Sequence, residues 1–347
     1  MKFIHIADIH FDVPFTTLGL KGLSEQRRLE QRDAFKRTIE FIKENGIEIL
    51  LIAGDLYENE YIRMSTINYI NNLFKEIPNT KIFISPGNHD PFLKNSFYEK
   101  FEWNKNVYIF NEMQRVEYKN IDIYGYGFRT FESEKVILPK ELRKDRTNIL
   151  LMHGDMDGNS NYNSISKKEL LESGFDYIAL GHIHKKMIQK NIVYPGSMIS
   201  CGFDELNEHG IILGEFKNGE KKANIEFIKM DKNEFVEKEF DVSQLYSEEE
   251  LVEKINSLEL IKENYYKIIL TGNKNFEINT TNILKNIYST NIVKVKDCTK
   301  IGIDIKELSK EESLKGIFVR SLLNDAEEQK IDIEDAIKAI EIGLEAM

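Results

Sequence analysis

The chain has 347 residues and is 41% hydrophobic, ample for one large domain with a smaller one beside it. Its two cysteines, Cys201 and Cys298, lie far apart with no C-x-x-C, which excludes a disulfide framework and a zinc–thiolate site and leaves both to be read as small buried hydrophobes. The net charge is −11, no basic stripe of a high-affinity nucleic-acid binder stands out, and no apolar run has the length of a membrane span.

Residues 2–7 read as a buried strand that delivers Asp8-Ile9-His10, with His5 a core histidine on the strand itself. His5, Asp8 and His10 interrupt the apolar residues, so no signal-peptide pattern is present and a soluble cytoplasmic protein is expected. After a loop through Pro14 and Gly19, Ser24-Glu25-Gln26-Arg27 has a capping-box pattern and opens a helix to about residue 44. Its apolar face is read as Leu29, Ala34, Phe35, Ile39 and Ile42, and its basic residues, Arg27, Arg28, Arg32, Lys36 and Arg37, as a solvated face balanced by acids. Residues 47–53 form a second strand delivering Gly54-Asp55. A helix over 63–76 stops before Pro78, and a third strand at 81–84 delivers Gly87-Asn88-His89-Asp90.

Short strands at 106–110, 115–118 and 121–125 follow with no helix between them, the last two joined by Lys119-Asn120. They predict a second, partly antiparallel sheet, and hence an α/β fold built as a two-sheet β-sandwich flanked by helices. Residues 128–147 read as a surface connector. A strand at 148–152 delivers His153; a helix at 166–172 and a strand at 175–180 deliver Gly181-His182-Ile183-His184. Lys185 and Lys186 come next, placed either to meet phosphates or to end the strand in water. A short strand at 192–194 leads into Pro195-Gly196-Ser197. His209, read as structural, precedes a hairpin of 210–216 and 223–228 around a type I′-compatible Asn218-Gly219 turn. This completes an expected catalytic domain over 1–230. Helix 247–258, strand 264–271, helix 280–288 and strand 291–297 predict a small α/β capping domain over 231–300. Residues 301–347 read as a helical segment in two helices, with an apolar stripe of Ile333, Ile337, Ile340 and Leu344, Asp332 as N-cap, and either a partner or this protein's own body as its docking surface.

Five strand ends thus carry metal-type residues, and in an open α/β sheet the carboxyl ends of strands face one crevice. Seven ligands can be named: Asp8, His10, Asp55, Asn88, His153, His182 and His184. Two octahedral-type ions sharing one carboxylate need about this many protein groups, and Asp55, alone at its strand end, is the natural bridge. A set of imidazole, carboxylate and amide donors without thiolate suits manganese, iron or zinc. His89 is assigned to catalysis, next to the ligand Asn88 and able to protonate a leaving oxygen; Asp90 is expected to fix its tautomer. Residues 1–200 hold 27 lysines and arginines against 27 aspartates and glutamates, so the acidity lies outside this region and two divalent ions would make it locally positive.

The ordered motifs, with Phe3-Ile4-His5-Ile6-Ala7-Asp8-Ile9-His10-Phe11-Asp12 and Tyr194-Pro195-Gly196-Ser197, resemble the calcineurin-like metallophosphoesterases, and within them the SbcD-type nuclease subunits, over roughly the first two thirds of the chain. Leu56-Tyr57-Glu58 lacks the Asp-Arg-Gly of the serine/threonine phosphatases, which favours a nuclease or diesterase. The resemblance implies that Asp8, His10 and His184 hold one ion with Asp55, that Asn88, His153 and His182 hold the other, and that the metal is manganese. It further implies a metal-dependent DNA exonuclease or endonuclease of 3′→5′ polarity in DNA repair, an SbcC-type ATPase partner for the C-terminal helices, and a homodimer. The alternatives are a phosphodiesterase of nucleotides or small diesters, which the acidic C-terminal third favours, and a largely inactive scaffold subunit for a protein partner. Tyr57 and Arg63 are nominated as DNA contacts from their place downstream of Asp55.

Overall fold

The computed structural model describes all residues except 19–21, 159, 218–219, 302–304 and 346, together with the side chains of Ile301 and Glu345. The expected Gly19 loop position and the Asn218-Gly219 turn therefore lie outside the described residues. The chain divides into two compact units, Met1–Val236 with Glu263–Tyr265, and Glu237–Lys262 with Tyr266–Met347.

The first unit is mixed α/β. Its elements are β1 (Lys2–Ile6), α1 (Leu23–Glu44), β2 (Ile49–Ile52), α2 (Met64–Lys75), β3 (Lys81–Ile84), α3 (Phe97–Lys100), β4 (Val107–Ile109), β5 (Gln114–Tyr118), β6 (Ile121–Tyr126), β7 (Thr147–His153), α4 (Lys167–Glu172), β8 (Tyr177–Gly181), β9 (Met187–Gln189), β10 (Ile192–Tyr194), β11 (Gly210–Glu215) and β12 (Asn224–Lys229). They form two six-stranded sheets, in the orders β12-β11-β1-β2-β3-β4 and β5-β6-β7-β8-β10-β9. In the first, β1, β2, β3 and β4 run parallel, with Ile4 opposite Leu50 and Leu50 opposite Ile82. In the second, β6, β7 and β8 run parallel, with His153 opposite Gly181.

Side chains alternate across a strand, so each sheet offers two faces. Phe3, Ile49, Leu51 and Phe83 of the first sheet meet Ile121, Ile123, Ile149, Leu151, Tyr177 and Ala179 of the second in one continuous core. The two sheets therefore stack face to face. The intervening residues of the second sheet, Leu150, Ile178 and Leu180, pack outward against Leu170 of α4 and Phe175. Both sheets are buried on both faces, which is why their central strands read as near-continuous apolar runs.

Three readings of the helices are corrected. Ser24 lies within α1 rather than capping it: Gly22 holds the cap position without a side-chain bond, and the Ser24 hydroxyl donates to Phe15 O at 3.0 Å. The buried stripe of α1 runs through Arg27, Gln31, Ala34, Phe35, Thr38, Ile39 and Ile42, while Leu29 is 68% exposed. Arg27 is fully buried, its guanidinium paired with Asp231 at 2.5 Å, bonded to Ser200 O at 2.9 Å, and set 5.4 Å from the Phe235 ring. A buried cation is tolerated there because a carboxylate and carbonyls consume its donors. The cysteines also depart from expectation: Cys201 is half-buried and Cys298 exposed.

In the second unit, β13 (Phe235–Asp241), β14 (Tyr265–Thr271) and β16 (Ile292–Asp297) form a three-stranded sheet, with β15 (Asn273–Lys274) between the latter two in the chain. Helices α5 (Glu248–Asn256) and α6 (Thr280–Asn286) start at Ser247 and Asn279, whose side chains accept from the backbone three residues on. C-terminal helices α7 (Ile305–Leu308), α8 (Leu314–Glu327) and α9 (Ile333–Glu345) follow. The buried residues of α9 are Ala336, Ile340 and Leu344, the last two against Val319, whereas Ile333 and Ile337 are exposed. Among the described residues no helix is long and apolar enough to cross a membrane.

Candidate metal centre

The parallel strands end together, and the residues just past β1, β2, β3, β7 and β8 converge. Asp8, His10, Asp55 and His182 adopt positive φ, between 50° and 103°. Non-glycine residues rarely accept this left-handed region, and such conformations cluster at functional sites. Each turn sends the chain away while leaving its side chain at the strand end. Close packing excludes side chains at two neighbours. A Cβ on Gly54, itself at φ +89°, would lie 2.3 Å from His153 Nδ1, and one on Gly87 would lie 2.3 Å from Asp55 Oδ1.

All seven nominated ligands face one centre. His10 Nε2 lies 3.1 Å from His184 Nε2 and 3.7 Å from Asp55 Oδ2. His153 Nε2 lies 3.3 Å from Asp55 Oδ2 and 2.9 Å from Asn88 Oδ1. The Asp8 carboxylate accepts from the His182 amide at 3.0 Å, and the His182 and His153 rings stand 5.1 Å apart. Two overlapping donor groups result, Asp8 with His10 and His184, and Asp8 with Asp55 and His153. Asp55 touches histidines of both sides, and its other oxygen accepts from the His89 amide at 2.9 Å.

Sequence reading missed two carboxylates. Glu58 binds His10 Nδ1 at 2.7 Å and His89 Nδ1 at 2.9 Å; Glu205 binds His184 Nδ1 at 2.5 Å. His153 Nδ1 faces Ala53 O at 2.9 Å. With Nδ1–H spent on a carboxylate in His10 and His184, their two Nε2 lone pairs face each other, and only a proton or a cation can lie between them. The same holds for His153 Nε2 and the Asn88 carbonyl, so the donor set fits divalent cations. The signal for Glu58 was present, since it lies three residues beyond Asp55; Glu205 sits in an acidic loop whose return to the centre only the fold reveals.

Burial works against ionisation of Glu58, but the bonds from His10 and His89 hold it at about 2. Glu205, similarly buried, is held at about 2 by His184. The Glu58 hydrogen bond raises the exposed His89 to about 9, against the cost of its partial burial. Burial, then the neighbouring His153, lowers His182. Burial raises Asp55, but His153, His10 and His89 outweigh it and lower its carboxyl overall.

Asp90 corrects the expectation that it fixes His89. Its Oδ1 accepts from the Asp55 amide at 3.0 Å and the Gly87 amide at 2.6 Å, and its Oδ2 from the Leu56 amide and the Tyr98 hydroxyl, both at 2.6 Å. It is fully buried and ties the Asp55 turn to the Asn88 loop; the carboxylate on His89 is Glu58. Burial and the Asp55 charge push the Asp90 carboxyl up to about 7, while its three amide partners, which can only donate, favour the ionised form. Tyr57 is fully buried against Tyr98 and cannot reach a macromolecule, whereas Arg63 is exposed. His209 is structural, bonding Ser197 and Glu205 O, and His5 lies in the core at 3.0 Å from the Tyr177 hydroxyl, lowered by burial to about 3.

A family model described as calcineurin-like phosphoesterase matches residues 1–186. An uncharacterized metallophosphoesterase, YhaO of Bacillus subtilis, is 25% identical over 246 residues, covering 63% of this chain and 58% of that protein. The SbcD component of the SbcCD nuclease of Staphylococcus saprophyticus is 27% identical over 259 residues, covering 63% of this chain and 66% of that protein. The matches thus span under two thirds of either relative. Among solved structures, GAP50, the anchor in the inner membrane complex of Plasmodium, aligns with a TM-score of 0.37 at 10% identity, over 67% of this chain and 85% of that one.

Proposed function

The chain belongs to the calcineurin-like phosphoesterase family, and from that premise we propose that it is a metal-dependent phosphodiesterase that cleaves DNA, as an exonuclease or endonuclease in cytoplasmic DNA repair. The observation that carries the reading is His89. Its imidazole is exposed at the mouth of the donor set, its ring centroid 4.8 Å from that of His10, and Glu58 holds it protonated. A cationic imidazole in that position meets an alkoxide leaving group, for which general-acid help is worth about 10²–10⁴-fold. Similarity to the SbcD component of a nuclease supports DNA as substrate, 3′→5′ polarity, an SbcC-type ATPase partner and a homodimer.

Asp8, His10, Asp55 and His184 would hold one divalent cation, and Asp55, Asn88, His153 and His182 the other, manganese being preferred for this donor set. Bound there, they would supply Lewis acidity toward phosphoryl oxygens and a nucleophile at neutral pH. Glu58 and Glu205 orient His10 and His184, keeping each Nε2 turned inward. Asp90 keeps the turn of Asp55 and the loop of Asn88 in register. His89 delivers a proton to the leaving 3′ oxygen and stabilises charge on the phosphoryl group.

The test is manganese-dependent cleavage of an end-labelled linear duplex by the wild type and His89→Ala, with a small chromogenic phosphodiester in parallel. Shortening of the duplex, lost in the variant, is the expected result. Turnover of the small diester alone replaces DNA with a nucleotide or small diester, and silence on both with metal bound points to a scaffold role.

A further inference from the structure

Beside the metal centre lies a cavity of about 460 Å³ between the N-terminal half of α1 and the start of α2. Its α1 wall is the stripe Glu25, Arg28, Leu29 and Arg32, spaced three, four and seven residues along and so on one face. Opposite stand Tyr61 and Arg63. The cavity adjoins the centre through the chain itself: Asp12, on its wall, is two residues past His10, and the Tyr61 amide donates at 3.0 Å to Glu58 O.

The charges in this cavity are only partly spent. Arg32 is anchored, bonding Thr66 Oγ1 at 2.8 Å and Asp12 at 3.3 Å. Asp12 is further occupied by the Arg63 amide at 3.1 Å. Among the described residues, however, the Arg63 guanidinium has no hydrogen-bond or ion-pair partner, and Arg28 makes one long bond of 3.4 Å to Val13 O. Two guanidiniums are therefore free to bind an anion, with Glu25 the one unpaired acid on the cavity wall. The apolar members are also unusual for a surface: Leu29 is 68% exposed and Tyr61 46%. Arginines beside an exposed aromatic and an aliphatic side chain form the combination that holds a nucleic-acid strand, the phosphate on the guanidinium and the base on the ring.

We propose that this cavity is a subsite for a second phosphate of the substrate, held by Arg28 and Arg63 with the adjoining base on Tyr61, so that the enzyme selects a strand carrying phosphates on both sides of a nucleoside over an isolated diester. This rests on the phosphodiesterase reading above. The second phosphate is either the next internal diester or a terminal 5′-phosphate, which present the same chemistry.

The experiment is a substrate series on the full-length, manganese-loaded protein: thymidylyl-thymidine, the same with a 5′-phosphate, the trinucleotide, and a longer oligonucleotide, each referred to a small chromogenic diester. The wild type should show a step of about tenfold or more in kcat/KM when the second phosphate is added. The step should be lost in Arg28→Ala/Arg63→Ala and largely kept in Arg63→Lys, which retains the charge. A step at the 5′-phosphorylated dinucleotide assigns the subsite to strand ends; one first seen with the trinucleotide assigns it to the continuing strand. A flat series with cleavage retained, or a step that survives the double variant, overturns the subsite alone. Turnover of the chromogenic diester with no cleavage at any length overturns the DNA reading itself. Equal melting temperatures of variants and wild type show that lost folding is not the cause.

Discussion

Asp90→Asn separates two roles for a buried carboxylate. In the structure its two oxygens accept four bonds, three from amides and one from Tyr98. An asparagine of the same shape keeps one acceptor oxygen and turns an NH2 group toward two donors. At least two charge-assisted bonds are then lost, each worth about 1.5–3 kcal/mol, with donors left buried and unpaired. The expected cost is about 3–5 kcal/mol, or a fall in melting temperature of roughly 6–20 °C for a unit of this size. Because the same bonds tie the Asp55 turn to the Gly87-Asn88 loop, manganese affinity should fall with it. The assays are calorimetric melting of the metal-free protein and isothermal titration with manganese. A variant that melts within about 2 °C of the wild type and binds manganese normally, yet shifts the pH–rate profile, would refute the reasoning and return Asp90 to a role on His89.

Three further outcomes follow from the geometry. Arg27→Met leaves Asp231 buried without its guanidinium and should destabilise by about 3–5 kcal/mol, read from denaturant unfolding; Arg27→Met/Asp231→Leu should recover much of that loss. Glu205→Gln removes the carboxylate on His184 Nδ1 and should weaken manganese binding about 10–100-fold, measured by competition with a chelator, with little change in melting of the metal-free protein. Burial of Asp122 raises its carboxyl, but bonds from Arg143 and Arg146, each at 2.6 Å, outweigh that and hold it below the ordinary value. A depressed folded value means stability that is present above the unfolded pKa of about 3.9 and is lost as the pH falls through the folded one. Asp122→Asn should therefore be less stable at neutral pH and show a flatter acid limb in thermal melts; an unchanged acid limb would count against the pairing.

Local sequence determined the strands, their order and the residues at their ends, because an apolar run closed by a polar turn is a property of neighbours in the chain. Asp8, His10, Asp55, Asn88, His153, His182 and His184 were legible for that reason. So were α5, β14, α6 and β16, which begin and end within a residue or two of their expected positions. The register of α1 was not legible: counting apolar residues placed Leu29 inside and Arg27 outside. The inward face is instead chosen by Asp231, some two hundred residues away, which neutralises Arg27.

The carboxylates behind the histidines were decided by tertiary structure for the same reason. Glu58 and Asp90 both lie near the centre in sequence. Which of them meets His89 depends on how the loop after β3 folds over the turn after β2, where three amides claim Asp90 and leave Glu58 to the imidazoles. Glu205 reaches His184 only because the chain returns past β10 with its Ser197 amide bonded to His184 O. The ligand types and their order are written in short stretches of sequence. The charge that orients each ligand is not, because hydrogen-bond partners distant in the chain are selected by which donors folding leaves unpaired.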